Sequence, residues 1–281
     1  DLHLSIRRQR QMCIRDRSAG EYNKNNISGN LNYRTDAWNV FSNASYRTGE
    51  RYGLGLREFD FLYFQPIDST RYLYQDTKRI RNSDNISFRF GGDLYPTPTS
   101  TISYTSTFNT RNQNNREIIE TTRPALSSLD VQEYGDENEW DHSLSYENKF
   151  DTKDRKLNAN LSHSYGSEHE TEENLSKEAN VNNITIKDHH DHKNTILSFD
   201  YEDKFGKKLA LEAGLKTTLK TLDNDLFFQN ETYDYLYDED IYALYTTLGY
   251  KINARLGLKV GLRFEQVETT AEVSGDTTDA T

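Results

Sequence analysis

Polar and apolar residues alternate along five successive pairs of segments, and this repeat limits the possible folds more than any other property of the chain. The paired segments are residues 25–34 with 37–47, 83–95 with 99–110, 138–150 with 156–168, 191–205 with 208–220, and 239–252 with 255–269. A period of two places successive side chains on opposite faces of an extended strand. Each pair therefore predicts a β-hairpin.

The connections between these segments are of two kinds. Short turns join the two members of a pair, and they centre near Ala37, Thr97, Lys153, Gly206 and Asn253. Long, mostly acidic stretches join one pair to the next. Short turns at one end and long loops at the other are typical of the wall of an outer-membrane β-barrel, whose strands need about 9–11 residues to cross the bilayer.

Residues 256–265 show the alternation most clearly. Every even position is apolar and every odd position is glycine or charged. The apolar face suits lipid with a water-filled lumen behind it, and it equally suits a soluble core with bulk water behind it. Aromatic residues at the segment ends favour lipid, because such rings concentrate at the two membrane interfaces. They include Trp38, Tyr95 and Tyr250 near the short turns and Tyr46, Trp140 and Phe264 near the opposite ends.

These patterns predict an all-β fold, an antiparallel up-and-down transmembrane β-barrel. We count about ten strands of a larger barrel, with short periplasmic turns and long extracellular loops. The chain ends in a loop-like stretch, residues 275–281, rather than in a strand that closes on an aromatic residue. We therefore expect further strands in the complete protein.

Composition excludes several classes of protein. No run approaches the 18 or so apolar residues of a transmembrane helix, so a helical membrane protein is excluded. The mean hydropathy of −0.93 is compatible with a barrel, because only alternate strand residues face lipid. A formal net charge of −11 argues against nucleic acid as a partner, since neutralising phosphates requires a basic surface.

The first residues have a separate interpretation. Residues 11–17 read Gln-Met-Cys-Ile-Arg-Asp-Arg, which resembles the translation of a sequencing-library adapter. They contain the only Met and the only Cys of the chain. We interpret residues 1–17 as an adapter-derived segment and residues 18–281 as a partial outer-membrane β-barrel domain. The alternative is a short basic targeting segment, although no apolar stretch accompanies it.

Several segments resemble the barrel domain of TonB-dependent outer-membrane receptors. The resemblance is carried by residues 26–34 (NISGNLNYR), 38–46 (WNVFSNASY), 241–245 (IYALY) and 257–265 (GLKVGLRFE), and it extends over residues 19–275. It implies a barrel of about 22 strands around an N-terminal plug domain, with a TonB box engaged by the inner-membrane complex. It also implies import of a scarce ligand such as a siderophore or a glycan.

Two aromatic-rich stretches, residues 57–74 and 226–237, fall in the expected extracellular loops. Aromatic rings among carboxylates suit a sugar ring or an aromatic-rich ligand, and loops on a rigid scaffold often carry binding. The alternative is that strands extend above the membrane and these rings pack the loops together. The candidate ligand-binding residues are Phe59, Phe61, Tyr63, Phe227, Phe228, Tyr233 and Tyr235.

One run, residues 188–192 (Asp-His-His-Asp-His), contains residue types that bind transition metals. Consecutive residues of an extended chain point in opposite directions, so we interpret the run as a solvated loop end and predict no metal site. The acidic stretches 136–139 and 168–178 lack the spacing of a calcium loop. No catalytic motif is present, so we predict a protein that is not an enzyme and uses no cofactor.

Three functions remain open from the sequence. The first is a section of a TonB-dependent receptor in the cell outer membrane, with lipid, a plug domain, the TonB complex and a small-molecule or glycan ligand as partners. The second is a related barrel without energised transport, acting as a structural protein or passive pore. The third is a soluble surface β-adhesin, whose apolar strand faces would meet each other across a sandwich.

Overall fold

The computed structural model of the protein describes residues 14–20, 24–60, 72–123, 125–150, 155–178, 181–229 and 231–277. These residues form one antiparallel sheet of eleven strands, in which each strand pairs with its neighbours along the chain. The strands are β1 (Ile14–Gly20), β2 (Lys24–Arg34), β3 (Trp38–Asp60), β4 (Tyr72–Thr97), β5 (Ser100–Arg123), β6 (Ser127–Lys149), β7 (Lys156–Ser176), β8 (Ile184–Phe205), β9 (Leu209–Phe228), β10 (Glu231–Lys251) and β11 (Gly257–Thr277). No helix in this part of the chain is long and apolar enough to span a membrane.

The up-and-down all-β architecture predicted from the alternation is confirmed. The five predicted hairpins are β2–β3, β4–β5, β6–β7, β8–β9 and β10–β11. The sheet also contains the short strand β1, which pairs with β2 from Ile14 to Gly20. Residues 14–17 of this strand lie in the segment interpreted as adapter-derived. The pairing does not test where that segment comes from, so the interpretation stays a prediction.

Most of the expected long loops are themselves paired strands. Strand β9 continues to Phe228 and β10 begins at Glu231, so only residues 229–230 connect them. Polar and acidic residues occupy both faces of these extensions, which hides the period of two in the sequence. Their backbones nevertheless continue to pair, because the two arms of a hairpin are already adjacent and their N–H and C=O groups need partners.

Four of the five short turns lie where the sequence places them, and the turn predicted near Lys153 is outside the described residues. Gly206 has a φ of +68°, a left-handed conformation that glycine adopts without steric cost. At the last short turn, the Asn253 side-chain oxygen accepts hydrogen bonds from the backbone N–H groups of Arg255 and Leu256 at 2.8 and 2.9 Å. Such a local cap is the usual reason for asparagine in a tight turn.

One face of the sheet, here called the outer face, carries the apolar side chains. In a representative row, Phe264 lies opposite Leu244, Leu244 opposite Leu215, and Leu215 opposite Phe199. Leu244 is 62% exposed and Phe264 is 68% exposed, and of the described hydrophobic residues only Ala243 is buried. The described strands form one layer, so these apolar faces do not meet across a sandwich as a soluble adhesin requires. An apolar face this open needs lipid to cover it.

Aromatic residues bound the apolar face at two heights. Along β10, Tyr250 lies near the short turn and Tyr242 lies eight residues above it on the same face. Those eight residues correspond to a band about 25 Å tall in a tilted strand, the height expected of a lipid-facing band. Tyr95 departs from the expected girdle, because the Arg34 guanidinium lies 5.5 Å from the centroid of its ring on the opposite, inner face.

The pairing register rises steadily across the sheet, as a tilted barrel wall requires. One row of paired residues starts with Tyr33 and Val40, beside the first short turn, and ends with Tyr242 of β10 and Gln266 of β11. On β10, Tyr242 is eight residues further from the short turn than Tyr250. With strands spaced about 4.8 Å apart, this stagger corresponds to a strand tilt of about 30°.

The inner face of the sheet is polar and charged. Lys259 donates to both carboxylate oxygens of Glu212 at 3.0 and 2.9 Å, and Asp93 accepts hydrogen bonds from Asn39 and Ser103. At Gly214 an added Cβ would lie 2.5 Å from the Tyr245 ring, so this ring covers the glycine on the inner face. A polar inner face opposite an apolar outer face is the arrangement of a barrel with a water-filled lumen.

Candidate functional site

The candidate site lies on the inner face of β6–β10, beyond the height of Trp140 and Tyr242, where the strands continue above the apolar band. The register arranges its residues in three adjacent transverse rows, here called the upper inner wall. The first row contains Glu137, Glu168, His190, Asn224 and Tyr235. The second row contains Gly135, Glu170, Asp188, Leu226 and Tyr233. The third row contains Glu133, Glu172, Ile186, Phe228 and Glu231.

Three of the seven candidate ligand-binding residues meet in these rows. Phe228, Tyr233 and Tyr235 share the inner face of the β9–β10 hairpin, and the Tyr235 ring stacks on Tyr237 with 6.5 Å between centroids and 7° between planes. Tyr233 and Tyr235 are 41% and 39% exposed, so their rings are open to a ligand. We call Phe228, Tyr233, Tyr235 and Tyr237 the aromatic platform.

The other four candidates do not join the aromatic platform. Phe227 lies on the outer face, where the Lys187 ammonium is 5.9 Å from the centroid of its ring. Phe59 ends β3 next to Asp60, and its side chain is outside the described residues. Phe61 and Tyr63 also lie outside the described residues. Of the two aromatic stretches, the β9–β10 hairpin therefore provides the platform.

Carboxylates hold the tyrosine hydroxyls of the platform. The Tyr233 hydroxyl donates to Glu231, and the Tyr237 hydroxyl donates to Glu239 at 3.2 Å. The hydrogen bond to Glu231 raises the pKa of Tyr233, because it stabilises the protonated phenol. Tyr233 therefore remains neutral, and the hydrogen bonds hold the rings of Tyr233 and Tyr237 in place.

The middle of the upper inner wall is acidic. Burial raises the pKa of Glu170, and the neighbouring carboxylates of Glu133, Glu168, Asp188 and Glu172 raise it further. In the register Glu170 lies directly opposite Asp188. Like charges opposite each other on adjacent strands are destabilising, so this part of the wall stores electrostatic repulsion.

The histidine run lies inside β8 rather than in a loop, and the strand divides it between the two faces. On the outer face, the His189 and His169 rings are 4.0 Å apart, and Asp136 Oδ2 lies 3.4 Å from His169 Nδ1. On the inner face, the His190 and His192 rings are 6.0 Å apart. No group of three or more potential metal ligands converges anywhere in the described part of the chain.

Some contacts of the site escape sequence reasoning. His169 belongs to a different hairpin from His189, and only the register between β7 and β8 pairs them. Tyr237 could have been predicted from the sequence. If the segment is taken as a strand, residues 231, 233, 235, 237 and 239 all lie on one face. The expectation of a loop concealed that period.

Replacing Glu170 with glutamine is expected to raise the free energy of unfolding at pH 7.5 by about 0.2–1 kcal/mol, because it removes a like-charge contact with Asp188. The folded-state pKa is raised, so the penalty is fully present above that pKa and disappears as the pH falls towards the unfolded value of about 4.3. The gain should therefore vanish near pH 4. Urea unfolding of the full-length protein in detergent, with the exposed Glu120→Gln as control, measures it. An equal gain at both pH values would contradict the explanation.

Comparison with protein-family models agrees with this architecture. Residues 148–281 match the outer membrane protein beta-barrel family. A solved structure, the ferric yersiniabactin uptake receptor FyuA from Yersinia pestis, aligns with 91% of this chain at 9% sequence identity and a TM-score of 0.39. The alignment covers 54% of that receptor, so this chain spans about half of its length. No curated protein sequence matches the chain. The family match and the open apolar face place the chain in the outer membrane as part of a β-barrel.

Proposed function

We propose that the chain forms part of the barrel wall of a TonB-dependent outer-membrane receptor that imports a scarce ligand, such as a siderophore or a glycan. One observation carries the proposal. The strands extend well beyond the apolar band, and their inner face presents an aromatic platform beside an acidic wall. A passive pore needs only a polar lumen, whereas a receptor needs an exposed surface that holds a ligand.

The proposed role of the platform is to hold the ligand above the lumen. The faces of Tyr233 and Tyr235 offer apolar area to a sugar ring or an aromatic group. In the same rows, Glu168 lies three strands away from Tyr235 and Asp188 lies two strands away from Tyr233. Their carboxylates accept hydrogen bonds from hydroxyls or amines at the other end of the ligand. In this proposal a plug domain closes the lumen, and the TonB complex supplies the energy that moves it.

Replacing Tyr233 and Tyr235 together with alanine is expected to weaken ligand binding about 10- to 100-fold, because each ring loses an aromatic contact of about 0.5–1.5 kcal/mol. The matched control is Phe227→Ala, which removes a ring from the outer face of the same hairpin. Ligands are first identified by growth of the source bacterium on panels of ferric siderophores and glycans, with and without the gene. Equal loss in the control variant would argue against the platform.

Energised import is tested separately. Sequencing the gene across both ends is expected to reveal a plug domain and a TonB box. Deletion of the TonB gene is then expected to abolish uptake of the ligand. Uptake that persists without TonB would reject the receptor proposal and support the related barrel without energised transport.

A further inference from the structure

The inner face of β3 above the apolar band alternates arginine with glycine. Its inward positions are Arg47, Gly49, Arg51, Gly53, Gly55 and Arg57. Long cationic side chains therefore stand between positions that have no side chain at all. The alternation is unusual for a chain with 45 acidic and 34 basic residues.

The register brings two of these arginines beside two from neighbouring strands. Arg51 lies directly opposite Arg81 of β4. Two rows closer to the short turn, Arg47 lies opposite Asn85 of β4, and Asn85 lies opposite Arg111 of β5. We call Arg47, Arg51, Arg81 and Arg111 the arginine patch. All four side chains are exposed.

Small or neutral residues fill the centre of the patch. The row between the two arginine pairs consists of Gly49, Ser83 and Gln113. A Cβ built on Gly49 would lie 3.4 Å from Lys24 Cγ, so the stem of the Lys24 side chain lies beside this position. The centre of the patch therefore has no charged side chain, with arginines in the rows above and below it and with Glu133 and Glu137 beyond it on β6.

Other arginines nearby have carboxylate partners. Arg79 donates two hydrogen bonds to Glu117 at 2.8 and 2.9 Å, and Arg116 on the outer face does the same with Asp130 at 2.9 and 2.6 Å. By contrast, no carboxylate of the described residues forms an ion pair with any arginine of the patch. Like charges directly opposite each other are destabilising, so an anion bound between Arg51 and Arg81 would relieve their repulsion.

We propose that the arginine patch binds the anionic groups of the imported ligand, which carries at least two oxyanions such as carboxylates, phosphates or sulfates. Guanidinium groups bind such oxyanions through paired N–H donors. The patch and the aromatic platform lie on the same face of one sheet, and the row of Arg47 and Arg111 continues to Tyr235. The proposal rests on the import function above and names the charge class of its ligand.

The test uses the full-length protein purified in detergent and titrated calorimetrically at low ionic strength. The probes are inositol hexakisphosphate and citrate, with neutral inositol as the blank. The wild type is expected to bind both polyanions and not inositol. The double variant Arg51→Gln/Arg81→Gln is expected to bind them at least about 100-fold more weakly, about tenfold for each arginine lost.

The control variant is Arg116→Gln, which removes the same charge from the outer face of β5 and should bind like the wild type. Heat-modifiable mobility on gels verifies that each variant is folded. Equal weakening in the control, or no polyanion binding by the wild type, would overturn the proposal.

The arginine patch and energised import can each be rejected without rejecting the other. Polyanion binding that depends on Arg51 and Arg81, with uptake that is independent of TonB, would uphold the patch and reject energised import. TonB-dependent uptake with unchanged binding in the double variant would uphold import and reject the patch.

Discussion

Replacing Leu161 with arginine is expected to destabilise the folded protein by about 2–4 kcal/mol, the cost of placing a cation at the lipid face near mid-bilayer. Leu161 lies on β7 with Leu144 and Leu197 opposite it on either side, and it is 42% exposed on the outer face. Its position is five residues above Lys156, where the strand begins, so it is near the centre of the apolar band. Arginine there has neither water nor a carboxylate within easy reach.

The adjacent residue supplies the control. Asn160 points to the inner face between Ser145 and Ser198, so Asn160→Arg places the same cation in the polar lumen. We expect the free energy of unfolding of this variant to lie within about 0.5 kcal/mol of the wild-type value. Urea unfolding of the full-length protein in lipid vesicles measures both. Equal destabilisation by the two variants would show that the two faces have been assigned incorrectly.

The sequence predicted the lower part of each strand because lipid requires strict alternation there. Along β11 the outward positions Leu258, Val260, Leu262 and Phe264 are all apolar, and no other arrangement covers a membrane-facing surface. The five short turns were predictable for the same reason, since each separates two such runs. The fold class therefore followed from the pattern and not from overall hydropathy.

The upper part of the strands could not be predicted in this way, because both faces meet water. Asp136 and Glu137 point to opposite faces of β6, yet the sequence shows only an acidic run. Backbone hydrogen bonds between the hairpin arms maintain the strand there, and they are independent of side-chain type. The site residues were consequently assigned to loops, although Tyr233 and Tyr235 lie in β10.

The lateral neighbours in the site depend on register, which a single sequence does not reveal. Arg51 and Arg81 are 30 positions apart, and a shift of one residue would turn one of them to the outer face. The apolar rows below determine this register, because every outward position there must face lipid. The membrane-spanning part of the wall thus sets the geometry of the binding surface above it.

Replacing Arg155 with methionine is expected to destabilise the protein by about 1–3 kcal/mol, the cost of leaving a buried carboxylate without its cationic partner. Asp203 lies on the outer face opposite Leu211, near the short-turn end of β8, and it is 4% exposed. Arg155 Nε donates to its Oδ2 at 3.0 Å and the Tyr201 hydroxyl donates to the same oxygen at 2.9 Å. The ion pair allows a carboxylate to occupy a position that otherwise suits an apolar side chain.

A double-mutant cycle separates this ion pair from packing. Arg155 also lies 5.8 Å from the centroid of the Phe150 ring, so its removal loses a cation–π contact as well. In Arg155→Met/Asp203→Leu no carboxylate remains to be stranded, and most of the stability should return. If the double variant is as unstable as Arg155→Met, the contact with Phe150 rather than the charge of Asp203 explains why the arginine is needed.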